Sequence, residues 1–253
     1  MNKLLTGFLA SAVIMLSSCE TTREITINQS GKGTIATTID MGGLLGMAKM
    51  SGQGEQMEKM DRPMDTTINL SAIADSVPDL TPEQRKLMKG GVLKVKMDMP
   101  QDQFTFKVDF PFENVADIAA IDKLTGKVMQ EATKKTMKEG GEGEGMPEGM
   151  MPDGEKAGVD QYFVTTYSKG LIETKLDADK YATMADNEML QGLKEVAGMG
   201  MGKTTVVINL PNAAKKVTGA NLVLSEDKKK VTITSSLEDF FDDAKKMEYR
   251  IEY

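Results

Sequence analysis

The chain has 253 residues, a formal net charge of −7, 21 methionines and one cysteine, with neither histidine nor tryptophan. Without histidine there is no His-dependent triad and no His-ligated zinc, and the commonest general base is missing. A single cysteine excludes an intrachain disulfide, and an acidic chain without a basic stripe is a poor partner for nucleic acid.

Lys3 is followed by an apolar run, residues 4–16, interrupted only by Thr6 and Ser11. The run is well short of the roughly 20 residues that a transmembrane helix needs. A basic start, a short apolar core and a small-residue end predict a cleaved secretory signal. The core ends in Leu16-Ser17-Ser18-Cys19. This stretch resembles the bacterial lipobox, [LVI]-[ASTVI]-[GAS]-Cys, at every position. The resemblance implies that residues 1–18 are a lipoprotein signal peptide and that Cys19 is the lipidation site. In that family the thiol takes a diacylglyceryl group, the signal is cut before the cysteine, and the new amine is acylated, with palmitate for example. One acyl chain binds a membrane only marginally, whereas two or three on one residue make a stable anchor. Aspartate after the cysteine is an inner-membrane retention signal in some of these proteins. Glu20 stands there instead, which points to the outer membrane.

Residues 19–24 read as a polar, lipidated tether, and residues 25–253 as the folded domain. Ile25 and Ile27 alternate with Thr26 and Asn28, turn residues follow, and residues 34–39 alternate again, so a hairpin is expected. Met41, Leu44, Leu45 and Ala48 have helical spacing. Residues 65–70 read as a strand. Thr81-Pro82-Glu83-Gln84 predicts a helix start with a capping box, stopped by Gly90-Gly91. Leu93, Val95, Met97 and Met99 alternate with charged residues, and so do Phe104, Phe106, Val108 and Phe110. Such strands belong to an antiparallel sheet with one wet side. Asn114 caps a longer helix with Ile118, Ile121, Leu124, Val128 and Ala132 on one face; its stripe is expected to cover the phenylalanine face. Residues 138–158, rich in Gly, Glu, Met and Pro, read as a disordered loop. Beyond it the pattern predicts a hairpin at 161–176, a helix over 179–196, a strand at 204–210, a hairpin at 221–234, a short helix from Ser236 and an amphipathic strand ending the chain. Strand runs separated by isolated helices give an α+β fold, a largely antiparallel sheet with helices on one face. One continuous sheet with a loop insertion is favoured over two domains.

The segment 25–39, with Asn209-Leu210-Pro211 and Thr218-Gly219-Ala220-Asn221, resembles the LppM-like envelope lipoprotein domain. That resemblance implies envelope membranes and lipid contact. The Met/Gly insertion departs from the family, and no ligand residue carries over.

Four motifs invite chemistry. Ala197 to Thr204 fits the loose phosphate-loop pattern, but a helix precedes it and a strand follows, the reverse of a phosphate cradle, so no nucleotide is expected. Asp177, Asp179 and Glu188 fit three positions of a calcium loop, but Tyr181 and Ala182 break it and capping explains the aspartates better. Met146, Met150 and Met151 offer thioethers to copper(I), although methionine is common throughout the chain. Glu238-Asp239 and Asp242-Asp243 read as a solvated helix face. No catalytic residue, metal or cofactor is assigned. The expected function is a lipid-anchored envelope lipoprotein acting as a non-catalytic binding or scaffolding module, with the membrane and an envelope protein or lipid as partners. The alternatives are a carrier of a lipid or other hydrophobic ligand, with Phe104, Phe106, Phe110 and Tyr249 lining the cavity, and a carboxylate-dependent enzyme.

Overall fold

The computed structural model describes residues 20–50, 63–77, 79–139, 159–184, 187, 190, 193–194, 197–198 and 202–253. The signal at 1–18, Cys19, most of the 138–158 loop with Met146, Met150 and Met151, Glu188, and Met199 to Met201 lie outside the described residues.

The fold is α+β. Its main sheet has eight strands in the order β10-β11-β8-β1-β2-β5-β4-β3. These are β1 (Glu20–Ile27), β2 (Gly33–Asp40), β3 (Met64–Asn69), β4 (Val92–Asp98), β5 (Gln103–Phe112), β8 (Lys203–Asn209), β10 (Leu222–Leu224) and β11 (Lys230–Ser235). A second sheet, β6-β7-β12-β9, is built from β6 (Phe163–Ser168), β7 (Leu171–Leu176), β9 (Lys216–Gly219) and β12 (Tyr249–Glu252). Every strand pair is antiparallel except β1 with β8. That parallel pair stitches the C-terminal half of the chain onto the N-terminal half within one sheet.

Local chemistry accounts for most elements. At the β1–β2 turn the Asn28 carboxamide accepts from the amides of Ser30 and Lys32, and Gly31 takes the left-handed conformation (φ 82°). Asn69 caps a short helix, α2 (Leu70–Ser76), and follows α1 (Gly42–Met50) in the order of helices. In α3 (Pro82–Leu87) the capping box is complete: Gln84 N donates to Thr81 Oγ1, and Thr81 N donates to Gln84 Oε1. Asn114 caps a helical turn at Val115–Asp117 that runs into α4 (Ile118–Glu139). Arg85 reaches from α3 to donate to the carbonyls of Ala74 and Val77, tying α3 to the end of α2. Asp177 caps α5 (Ala178–Ala182), and Ser236 with Asp239 forms a second capping box on α6 (Leu237–Asp243).

On β5, Phe104, Phe106, Val108, Phe110 and Phe112 are buried, while Lys107 is exposed and ion-pairs with Asp109 across 3.5 Å. Ile118, Ile121, Leu124 and Val128 of α4 and Leu70, Ile73 and Ala74 of α2 share one continuous apolar core with that face. The core also takes in Tyr167, Ile172, Ile251 and Tyr253 of the second sheet. A satellite cluster gathers Tyr162, Leu190, Phe240 and Ala244, with Tyr181 standing perpendicular to Phe240 at 5.5 Å between ring centres. The other face of the second sheet carries an ion network, Arg250 with Glu173 and Glu252 and Lys175 with Glu173. The C-terminal strand is locked between β7 and β9, and Tyr253 N donates to Gly170 O at 3.0 Å.

The structure departs from the sequence reading in several places: it has two sheets where one continuous sheet is expected, and the helix expected over 179–196 ends at Ala182. The polar tether at 19–24 is corrected: β1 begins at Glu20, and residues 20–24 are paired with β2 on one side and β8 on the other. The strand β9 and the helix α2 are additional elements. α4 also continues through Glu139, into the first two residues of the expected loop.

Removing the Phe106 ring leaves a cavity beside Phe104, whose ring centre is 4.7 Å away. Phe106→Ala is therefore expected to cost about 3–5 kcal/mol, and Lys107→Ala well under ~1 kcal/mol. Urea unfolding of the two variants checks the difference.

Candidate functional site: a buried ionic cluster between the sheets

β1 alternates without a bulge, so the face that buries Ile25 and Ile27 also carries Arg23 and Thr21. An arginine on the apolar side of a sheet needs a partner, because burying a lone charge is costly. Asp122 supplies it. This residue follows Ile121 on α4, at the border of the helix's apolar stripe. Both its carboxylate oxygens accept from Arg23 Nη2, at 2.7 and 2.8 Å. Arg23 Nε is buried and has no hydrogen-bond partner.

The second sheet brings further polar groups to the same place. Thr165, Thr174 and Tyr249 are cross-strand neighbours on β6, β7 and β12, and the Thr165 and Thr174 hydroxyls are 2.9 Å apart. Tyr249 is hydrogen-bonded to Thr174, and Tyr167 on β6 lies within electrostatic reach of Arg23, as Tyr249 does. Asp160, in the helical turn Val159–Tyr162, feels both Arg23 and Asp122. No hydrogen bond or ion pair to Asp160 occurs among the described residues.

The side chains of Arg23 and Asp122 keep 22% and 33% exposure, and Asp160 is exposed. Even so, desolvation raises the carboxyl pKa of Asp122 and of Asp160 above the ordinary range, with Arg23 opposing the rise in both. Burial also raises the phenols of Tyr167 and Tyr249, which are neutral at physiological pH. For Arg23, burial works against the charge, but both Asp122 carboxylate oxygens accept from Nη2 and favour it, so the guanidinium stays protonated. The cluster therefore holds one cation against two carboxyl groups, and one of these has no partner of its own.

The residues singled out in the sequence fall elsewhere. Phe104, Phe106 and Phe110 are packed into the core at 2–4% exposure, whereas Tyr249 belongs to the second sheet beside Arg23. Asp177 is spent on capping α5, where the Lys180 amide holds its carboxyl below the usual range. Asp239 is spent on the Ser236 cap and on Asn221, and Asp243 caps the turn Ala244–Met247. Lys203 sits on β8, preceded by helical residues at 197–198, and pairs with Glu20 at 3.9 Å. Arg23, Asp122 and Asp160 were passed over. The available signal was the spacing Arg23-x-Ile25-x-Ile27, which places the arginine in register with two core isoleucines.

The fold and cluster together define an α+β protein of two sheets with an Arg23–Asp122 ion pair between them. Comparison with protein-family models, curated proteins and solved structures returned no match.

The raised pKa of Asp160 has a sign consequence. A carboxyl with a raised folded pKa costs stability only when ionised. The cost is absent below the unfolded pKa, about 3.9, and grows as pH rises through the folded value. Asp160→Asn should therefore raise the melting temperature relative to wild type near neutral pH, and the gain should vanish below the unfolded pKa. Thermal unfolding of both proteins across that range checks this.

Proposed function

We propose that the chain is a lipid-anchored lipoprotein of the bacterial cell envelope, on the outer membrane, whose folded domain is a non-catalytic binding module. The complete lipobox at residues 16–19 motivates the anchor. The observation that carries the proposal is the start of β1 at Glu20, directly after Cys19. A domain with a long tether would sample all orientations; one whose central strand begins next to an acylated residue is held against the bilayer by one end of its sheet. The module reading is further supported by the close-packed phenylalanine face and by the capping roles of Asp177, Asp239 and Asp243, which leave those carboxylates poorly placed for catalysis.

The carrier reading has its own supporting observation. The inner face of the central strands is only partly buried around Arg23, whose side chain keeps 22% exposure. On this reading the proposed binding activity is directed to a lipid or other hydrophobic ligand. Nucleic acid and nucleotides are not proposed partners, since the acidic charge and the order of helix and strand around Lys203 disfavour both.

Cys19→Ser is expected to release the protein from membranes or to leave it as the uncleaved precursor. Membrane fractionation with intact-mass measurement checks this. A normally processed, membrane-bound variant lacking acyl mass would contradict the anchor.

A further inference from the structure

At the Ile27 end of the main sheet an otherwise acidic chain gathers lysines. Lys228, Lys229 and Lys230 lead out of the β10–β11 turn into β11, and Lys215 and Lys216 lead into β9. Main-chain hydrogen bonds hold the two segments side by side. Leu210 N donates to Lys229 O and Ala214 N to Lys228 O, both at 2.7 Å, and Lys215 N donates to Glu252 O at 2.6 Å. All five lysines are exposed. Lys215 Nζ donates to Tyr253 O, but Lys216, Lys228, Lys229 and Lys230 form no ion pair among the described residues. The neighbouring carboxylates do not cancel this charge. Asp227 accepts from the Ser225 hydroxyl and the Lys229 amide, Glu252 pairs with Arg250, and Glu226 alone is uncommitted.

Two further observations set this end apart from an ordinary solvated turn. Lys228 N closes the turn onto Ser225 O, and Lys228 takes the left-handed conformation with φ 56°. The last position of such a turn favours glycine, because a β-carbon there is strained. The other left-handed non-glycine residues among those described, Asp79 and Asp102, are of a type that tolerates the conformation. A lysine is thus kept where local sterics ask for glycine, beside two more lysines that repel it. In addition, Val223 is 69% exposed, more than any other large apolar side chain described. It lies on edge strand β10 opposite Thr232, so it shares the outward face with Lys230.

The residue types select the partner. Protein interfaces favour aromatic side chains, methionine and arginine, and are poor in lysine. Specific phosphate pockets use the arginine fork, and single-stranded nucleic acid needs stacking rings. The patch has none of these. Clustered lysines around a protruding apolar side chain suit a diffuse anionic surface with an apolar layer beneath it.

We propose that this end of the molecule docks on an anionic lipid bilayer, with Lys216, Lys228, Lys229 and Lys230 on the head groups and Val223 entering the interface. The surface lies at the opposite end of β1 from Glu20, about 25 Å along the strand. It is separate from the acyl anchor proposed at Cys19 and does not rest on it.

Full-length processed protein is mixed with vesicles of phosphatidylcholine, with or without phosphatidylglycerol, and lysine acetylation is followed residue by residue by mass spectrometry. The readout is at lysines, so an acyl group on Cys19 does not enter it. Lys216 and Lys228 to Lys230 should react several-fold more slowly with phosphatidylglycerol present, and Lys94 and Lys96 on β4 at an unchanged rate. The protection should vanish at about 1 M salt, where charges are screened within ~3 Å. Placing the phosphatidylglycerol in the vesicles that carry the protein, or in a second population, tells whether the docked surface is the carrying bilayer or a facing one; protection in either arm supports the proposal. Lys229→Glu combined with Lys230→Glu should abolish the protection of Lys216 and Lys228. Lys228→Gly, which removes one charge and the strain, should raise the melting temperature and weaken docking roughly fivefold. Equal acetylation on both kinds of vesicle, protection that persists at high salt, or protection that survives the double glutamate variant overturns the proposal. So does Lys228→Gly if it gains stability with docking unchanged.

Discussion

The structure depends on the pairing of β1 with strands on both sides. Antiparallel β2 arrives through a short turn, but parallel β8 comes from the far half of the chain. Closing so long a loop costs entropy that grows only slowly with length, and it is recovered through the ladder and through burial of Ile25 against Ile35 and Ile208. Because β1 is interior to the sheet, its whole length is fixed, including the part next to Cys19. The Glu20 end of the sheet and the ionic cluster are brought together by this one strand.

Arg23 shows how the strand serves two purposes. Its first inward positions, Thr21 and Arg23, are polar, and its last two, Ile25 and Ile27, are core. The same ladder therefore seals one end of the interior and opens the other. The second sheet answers with the row Thr165, Thr174 and Tyr249, and α4 with Asp122, so polar groups from three elements gather there. A cluster with two carboxyl groups and one guanidinium is a poor way to stabilise a fold. Buried ionic groups cost desolvation that their mutual attraction only partly repays. Retaining such a group against stability is the pattern expected of a site with work to do.

Much of this was legible in the sequence where the determinants are local. The capping boxes, the Asn114 cap and the alternation of β4 and β5 all read correctly because each is decided within a few residues. The β1–β8 pair could not be read, since no local pattern reports a parallel partner so distant in the chain. β9 was missed because Lys216–Gly219 offers a single apolar residue, Val217, and α2 because its cap, Asn69, closes a strand pattern that runs straight into it. The most instructive error is the tether. Thr21-Thr22-Arg23-Glu24 has no apolar alternation, because its inward side chains, Thr21 and Arg23, are polar and only partly buried. The pattern failed at the candidate site itself, where local rules are expected to give way to function.

Amide hydrogen exchange at Thr21, Thr22 and Arg23 tests the central claim most directly. If β1 is paired on both sides from Glu20 onward, these amides should exchange with protection comparable to that of Ile25 and Ile27. Exchange as fast as that of an unstructured chain would restore a free tether and contradict the account.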